Sequence, residues 1–412
     1  MSALRAPIRR THEERVLSVL RERGALSRGE IAKLVGLSRS TLSEITGTLL
    51  QRGAIVVVDT DAANRAGSGR PAERLALDPG SGQFMGVDFG HRRVRVVVAD
   101  AAHEIVASGV ERYDDREGWP TRLATAFALV DRLGAESGVH YRALQGIGIG
   151  VPGPYPAFAM SAKQDVFPFP VRHPADGVDT AFSERFGAPV VVDNNTRFAA
   201  LAEAIHSSGP VADLLYVRVS DGVGGGLVVG GRLATGSIGL AGEIGHVTAV
   251  LDGRPCRCGK RGCVETVASV PALLTACRER GVPVDSLDDL RAAVERAHPV
   301  VDQVLRYAAT ILGRVVGTLV MALNPAEVVV GGEIAQFAPV IVQQLAAGVK
   351  YQLFPEVQVD PQIRAAELAD DDGARGALAA LFNDYPAIPG RSDFDAASRG
   401  PSGKEPHRDR AE

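Results

Sequence analysis

Cysteine is scarce, four residues in 412, and long apolar runs are absent. A secreted disulfide scaffold would spread its cysteines in pairs. Three of the four crowd between positions 256 and 263, a clustering that points to metal instead. No uninterrupted apolar stretch reaches the roughly 18 residues a membrane span needs; the best, Ile311 to Leu323, is broken by Arg314 and by small residues. The charged N-terminus lacks the apolar core of a secretory signal. The expectation is therefore a cytoplasmic protein with no membrane partner. Net charge is small, −4, and by itself says nothing of nucleic acid. Disorder over most of the chain is excluded, because 45% hydrophobic and 23% charged residues suffice for a sizeable core. The length predicts about two to four domains.

Charge becomes informative when split by position. Residues 1–78 hold 13 Lys+Arg against 9 Asp+Glu, a balance of +4, and the remainder balances at −8. A small basic head on a larger acidic body is the asymmetry expected if only the head meets DNA. The head has the matching pattern. Val16, Leu17 and Leu20 share one face of a helix that Gly24 stops. Ser27-Arg28-Gly29-Glu30 has capping-box spacing and opens a short helix with Ile31, Leu34 and Val35 expected inward. Gly36 suits the turn that follows. Ser38 caps a third helix, with Leu42, Ile45 and Leu49 on its inner face. Two short helices around a glycine-containing turn make a helix-turn-helix, whose second helix lies in the major groove. Candidate DNA contacts are Ser27 and Arg28 on the first helix of the pair and Arg39, Ser40, Thr41, Ser43 and Glu44 on the second. Ile55 to Val58 and Arg74 to Leu77 read as strands of a hairpin wing, with Arg65 and Arg70 in the loop between them. Arg70, at the Gly69-Arg70-Pro71 tip, could enter an A·T-rich minor groove. A three-helix packing module without DNA is the plainer alternative.

Beyond a short hinge at 79–83, strands and helices alternate, which predicts an α/β body. Apolar strands run over Phe84 to Val87, Val94 to Val98, Gln145 to Val151, Pro189 to Val192, Leu215 to Val219 and Glu327 to Val330. Several end in polar or glycine-rich turns: Asp88-Phe89-Gly90, Pro152-Gly153-Pro154, Asp193-Asn194-Asn195, the run Gly222 to Gly226 and Gly331-Gly332-Glu333. Strand C-termini are where α/β proteins bind ligands, although glycine also serves plain turns. From about 384 to 412 the chain is rich in Pro, Ser, Gly and charge, and disorder is expected.

The cysteine cluster is the sharpest local signal. Cys256, Cys258 and Cys263 supply three thiolates within eight residues, and His246 lies ten residues upstream. Three Cys and one His form a closed tetrahedral set for structural Zn²⁺. Cys277 stands apart and reads as an inert buried thiol.

From about Thr11 to Leu381 the sequence resembles the ROK family (repressors, open reading frames, kinases). The resemblance is carried by Gly242-Glu243-Ile244-Gly245-His246 followed by the Cys-x-Cys-Gly-x-x-Gly-Cys-x-Glu stretch ending at Glu265. It implies a winged helix-turn-helix at 1–78 of the kind found in the repressor branch. It also implies a two-lobed, actin-like (ribonuclease H-like) sugar-kinase fold, with lobes at 84–198 and 199–383, the second including a returning C-terminal helix. The implied sugar contacts are Asn194, Glu243, His246 and Glu265, with Gly153 and Asn195 added to the effector set. His246 would serve metal and sugar together.

This chain departs from the kinase pattern. The kinase motif runs Asn-Asp-x-Asn with its Asp as base, and the matching stretch here is Asn194-Asn195-Thr196-Arg197. An amide cannot accept a hydroxyl proton at neutral pH. The first phosphate loop, usually Asp-x-Gly-Gly-Thr, continues after Asp88-Phe89-Gly90 with His91 and Arg92. Asp221 stands where the second loop usually has Thr. The resulting expectation is no catalytic residue and no kinase activity. What remains is a DNA-binding regulator, a repressor by family habit, acting on paired half-sites as a homodimer or homotetramer and sensing a sugar or sugar derivative. A sugar kinase with an appended head, and a regulator without an effector, are the alternatives.

Overall fold

The computed structural model describes residues 12, 15–17, 19–20, 23–51, 55–60, 73–78, 82–100, 104–137, 144–155, 175, 177–206, 211–354, 360–368 and 371–381. Arg65 and Arg70, hinge residues 79–81 and the tail at 384–412 lie outside them.

The head holds β1 (Leu26–Ser27), α1 (Arg28–Val35), α2 (Arg39–Gln51), β2 (Ile55–Thr60) and β3 (Glu73–Leu77). The three strands form one sheet in the order β1-β3-β2. The capping box is formed: the Ser27 hydroxyl accepts from the Glu30 amide, and the Glu30 carboxylate accepts from the Ser27 amide. Gly36 ends α1 in the left-handed conformation. Val16, Leu20, Ile31, Val35, Leu42, Ile45, Leu49, Ile55 and Leu75 close a common core. Leu34 does not join it; it is 50% exposed, against the expectation. Ile31 and Val35 sit one turn apart on the narrow buried stripe of this short helix. Leu34, rotated about 100° from Val35 by the 3.6-residue period, falls off that stripe.

The body holds β4 (Gln83–Phe89), β5 (Arg93–Asp100), β6 (Ile105–Arg112), α3 (Trp119–Ser137), β7 (Leu144–Val151), α4 (Val178–Phe186), β8 (Val190–Asn194) and α5 (Asn195–His206). A second set follows: β9 (Leu214–Val219), β10 (Val223–Val229), β11 (Arg232–Leu233), a 3₁₀ turn at Ile244–His246, α6 (Glu265–Ala268), α7 (Val270–Arg278), α8 (Leu287–Glu295) and α9 (Pro299–Leu323). The chain then forms β12 (Glu327–Gly331), α10 (Glu333–Phe337), α11 (Pro339–Gln352), β13 (Gln362–Ala365) and α12 (Asp372–Ala380).

The two sheets repeat one plan. The first has the order β6-β5-β4-β7-β8 and the second β11-β10-β9-β12-β13. In each, the inner strand of an antiparallel hairpin (β4 or β9) continues into two further strands parallel to it. Equivalent turns, β4–β5 and β9–β10, thus occupy equivalent places in the two lobes. Each lobe has its own core, dominated by Val, Leu, Ile and Ala.

α9 is long and apolar enough to cross a membrane by length and composition. Its apolar side, including Val301, Leu305, Leu312 and Val316, is instead buried in the second lobe's core. The last helix, α12, crosses back onto the first sheet. Gly86 on β4 and Gly148 on β7 make this possible, because a Cβ on either would run into the helix backbone at Ala374 or Ala377. No side chain fits at that approach.

Candidate functional site

A cavity of about 350 Å³ lies between the lobes, lined by the strand-end turns of both. From the first lobe come Asp88, Gly153, Asn194 and Asn195; from the second come Asp221, Glu243, His246 and Glu265. The structure therefore brings every residue of the expected effector set to one cavity.

Their side chains are not equally free. Asn194 caps α5. Its Oδ1 accepts from the amides of Thr196 (2.8 Å) and Arg197 (3.3 Å), while its Nδ2 donates to the Gly153 carbonyl at 2.6 Å. Asn195 is buried beside it and donates from Nδ2 to the Phe89 carbonyl at 3.2 Å, leaving Oδ1 as its accepting atom. Glu265 accepts from the Val223 amide at 3.2 Å and is gripped by Arg257, with Nε to Oε1 at 3.0 Å and Nη2 to Oε2 at 3.1 Å. The Glu243 carboxylate has no hydrogen-bond partner among the described residues. Burial pushes its pKa up and Arg197 pulls it down. A half-buried, unpartnered carboxylate in a cleft suits a ligand hydroxyl.

Arg197 is fully buried, 1% exposed. Its guanidinium donates to the carbonyls of Tyr155 (2.8 Å) and Gly239 and pairs with Asp193. Burial raises the Asp193 pKa and Arg197 opposes it. At the cleft floor Arg218 and Tyr216 both meet Asp372. Asp88, 3% exposed, has an Oδ1 with no partner among the described residues. Burial raises its pKa above 3.8, and Arg218 works against that rise. The sequence reading noted Arg197 only as a departure and missed Arg257 and Arg218 as site residues. The position of Arg257 between Cys256 and Cys258 was the one local signal available.

Beside the cavity, His246, Cys256, Cys258 and Cys263 come together, their ligand atoms all within 4.8 Å of one another. Cys258 and Cys263 sulfurs are 3.6 Å apart, and Cys256 Sγ lies 3.5 Å from His246 Nδ1. A tetrahedral ion with bonds of about 2.3 Å to sulfur and about 2.0 Å to nitrogen would set those separations near ~3.8 and ~3.5 Å. The set therefore fits a tetrahedral metal. Burial pushes the Cys263 thiol up to about 12, so a thiolate there calls for a neighbouring cation. Burial lowers the His246 pKa, which favours the neutral, ligating imidazole. Gly262 makes the loop closable: at φ 69° it lies against the Val250 carbonyl, where no Cβ fits. Cys277 is buried away from the set.

In the head, Arg39, Ser40, Ser43 and Glu44 are exposed at the start of α2, and Thr41 is half-buried. The Ser38 hydroxyl accepts from the Thr41 amide (3.2 Å) and contacts the hydroxyls of Ser40 and Thr41. Ser27 is held in its capping box. Arg28 is engaged within the head, 2.7 Å from Glu73 and 3.2 Å from Thr46. Arg39 is thus an exposed cation at the start of α2.

The family model described as "ROK family" matches residues 84–384, and the one described as "IclR helix-turn-helix domain" matches residues 15–59. A xylose repressor from Caldicellulosiruptor bescii is 25% identical, over 91% of this chain and 96% of its own length. A glucokinase from Halalkalibacterium halodurans is 29% identical, over 71% of this chain and 93% of its own. Among solved structures, a ROK family transcriptional regulator described as a homologue of the E. coli Mlc protein superposes with TM-score 0.71. It covers 91% of this chain and 97% of its own at 24% identity. The repressor and the regulator thus match nearly end to end, whereas the kinase match covers a smaller share of this chain.

Proposed function

The chain belongs to the ROK family, and from that premise we propose that it is a DNA-binding transcriptional repressor whose kinase-like body senses a sugar or sugar derivative. The observation that carries this reading is a helix-turn-helix head joined to a two-lobed cleft with Asn195 where a kinase of this family carries its base. Asn195 already donates to Phe89, and its remaining carbonyl oxygen cannot take a hydroxyl proton. It can accept a hydrogen bond from a sugar hydroxyl. Glu243 and Glu265 supply acceptors, and Arg257 holds Glu265 in place. Relatives named as xylose and N-acetylglucosamine repressors support a pentose or hexose-type effector.

Zn²⁺ is the metal that suits three thiolates and an imidazole. His246, Cys256, Cys258 and Cys263 would hold it, closing the loop that carries Arg257 against the cleft. Bound there, it supplies structural rigidity and no open coordination position for catalysis. Arg39, Ser40, Ser43 and Glu44 face the major groove, with Thr41 helping to fix the helix start. Arg28 positions the head through Glu73 more than it reads bases. In a dimer, lobe motion would change the spacing of two heads, and so their fit to half-sites about one helical turn apart.

The test is a thermal-shift screen of the zinc-loaded full chain with D-xylose, D-glucose, N-acetyl-D-glucosamine and their phosphates, each with and without Mg-ATP. It is paired with selection of binding sites from genomic DNA. A ligand at 100 times its Kd stabilises by about 2.7 kcal/mol. The expected result is one sugar-class hit, no ATP-dependent turnover, and release of the selected DNA by that hit. ATP-dependent phosphorylation of a sugar would replace this reading with the kinase one, and absence of sequence-specific DNA binding at moderate salt would end it.

A further inference from the structure

Two of the arginines that bridge the lobes differ in kind. Arg197 lies at the start of α5, buried, and joins the Tyr155 carbonyl of the first lobe to the Gly239 carbonyl of the second while pairing with Asp193. Breaking such a buried pair leaves an uncompensated charge, so this tie is fixed. The second bridge lines the cavity. Arg92 in the β4–β5 turn and Asp221 in the β9–β10 turn approach to 3.7 Å, with side chains 62% and 22% exposed. These are the equivalent turns of the two repeated sheets, facing each other across the cleft.

We propose that Arg92 and Asp221 are positioning residues that set how far the lobes open, a breakable latch in addition to the fixed tie at Arg197. Three observations support it. Both residues line the cavity, so separating the lobes at this side separates the pair. Burial, with the neighbouring Glu333 and Asp115, raises the Asp221 pKa, and His91 and Arg92 beside it counter that rise. His91 in turn is held 3.3 Å from Asp115, which ties the first turn to the segment after β6. The pair also gives the His91, Arg92 and Asp221 departures a common role. Arg92 and Asp221 place opposite charges on two turns that meet when the cleft closes, so the chain's own side chains favour closure weakly.

An exposed ion pair is weak and screened by salt, which is what a latch on a sensing cleft requires. An occupant that reaches from Glu243 to these turns competes with the pair, and one confined to the Glu243 end leaves it shut. The consequence for sensing rests on the function proposed above; the latch itself does not.

The test is amide hydrogen exchange on the zinc-loaded full chain, following peptides that contain residues 90–93 and 220–223, at 25 mM and 500 mM NaCl. No DNA and no sugar is present, so failure here leaves the repressor reading standing, and the converse also holds. In the parent, exchange at both turns should rise together by about two- to fivefold with salt. Arg92→Gln should exchange at the faster rate at both salt levels. Arg92→Asp and Asp221→Arg should each be fast, and the two combined should return toward the parent. Protection of α9 peptides reports whether a variant is folded; if one is not, the salt response of the parent decides alone. Independent or salt-insensitive exchange at the two turns, or a combined variant no slower than its singles, overturns the latch.

Discussion

At position 88 a carboxylate is nearly sealed from water, and the Arg218 beside it is already bonded to Asp372. Burial therefore dominates, and the Asp88 pKa is raised. The folded state holds this proton over a pH range in which the unfolded chain has released it. Stability from this group is thus highest in acid and falls as pH rises from about 3.8 through the raised folded value. Asp88→Asn removes the dependence. Melting curves from pH 4 to 8 should show the variant gaining on the parent as pH rises; a difference that does not change with pH would show Asp88 to be adequately solvated. Arg39 bears on function at the same scale. Arg39→Ala should cost about 1–3 kcal/mol of operator affinity and relax preference at one base position if it reads guanine. If it holds a phosphate, it should instead lower the salt slope by about one. Titrations of selected DNA at several salt concentrations separate the two cases. Leu34 shows the limit of pattern at this scale. Apolar identity and helical spacing predicted burial, but an eight-residue helix offers the core too narrow a stripe to accept it.

Among the elements, the return of α12 to the first sheet is the most demanding contact. Gly86 and Gly148 sit side by side in adjacent strands, and backbone meets backbone there. Gly148→Ala should destabilise by about 3 kcal/mol, since rigid neighbours on both sides prevent easy relief. Chemical denaturation would measure it, and a loss below ~1 kcal/mol would mean the helix can slide. The loop that carries the His-Cys set is the second element with a testable stability. It has few apolar contacts of its own and two left-handed glycines, Gly259 and Gly262. Removing the metal with a chelator should therefore loosen residues 246–265, with the largest exchange increase at Cys256–Cys263. Arg257 should then lose its grip on Glu265, so sugar-dependent stabilisation should fall as well. Full sugar response in chelated protein would separate the loop from the cleft.

For the molecule as a whole, the sequence determined what is local. Caps, turns, strand periodicity and cysteine spacing act over a few residues, where chain geometry leaves little choice. They sufficed for the helix-turn-helix, the α/β body and the His-Cys set. The resemblance then supplied the cleft residues Asn194, Glu243, His246 and Glu265. Only the tertiary structure decided which of those side chains keep free hydrogen-bonding capacity: Asn194 is consumed as a cap, Glu265 is held by Arg257, and the Glu243 carboxylate stays unpartnered among the described residues. It also decided the bridges. Arg197 reaches carbonyls 42 residues away in each direction, and Arg218 meets Asp372 at a separation of 154. An arginine reads in sequence as a surface charge. Whether it becomes a buried tie between lobes depends on which distant carbonyls and carboxylates the packed sheets bring within about 3 Å of it, and that is settled only when the whole chain has folded.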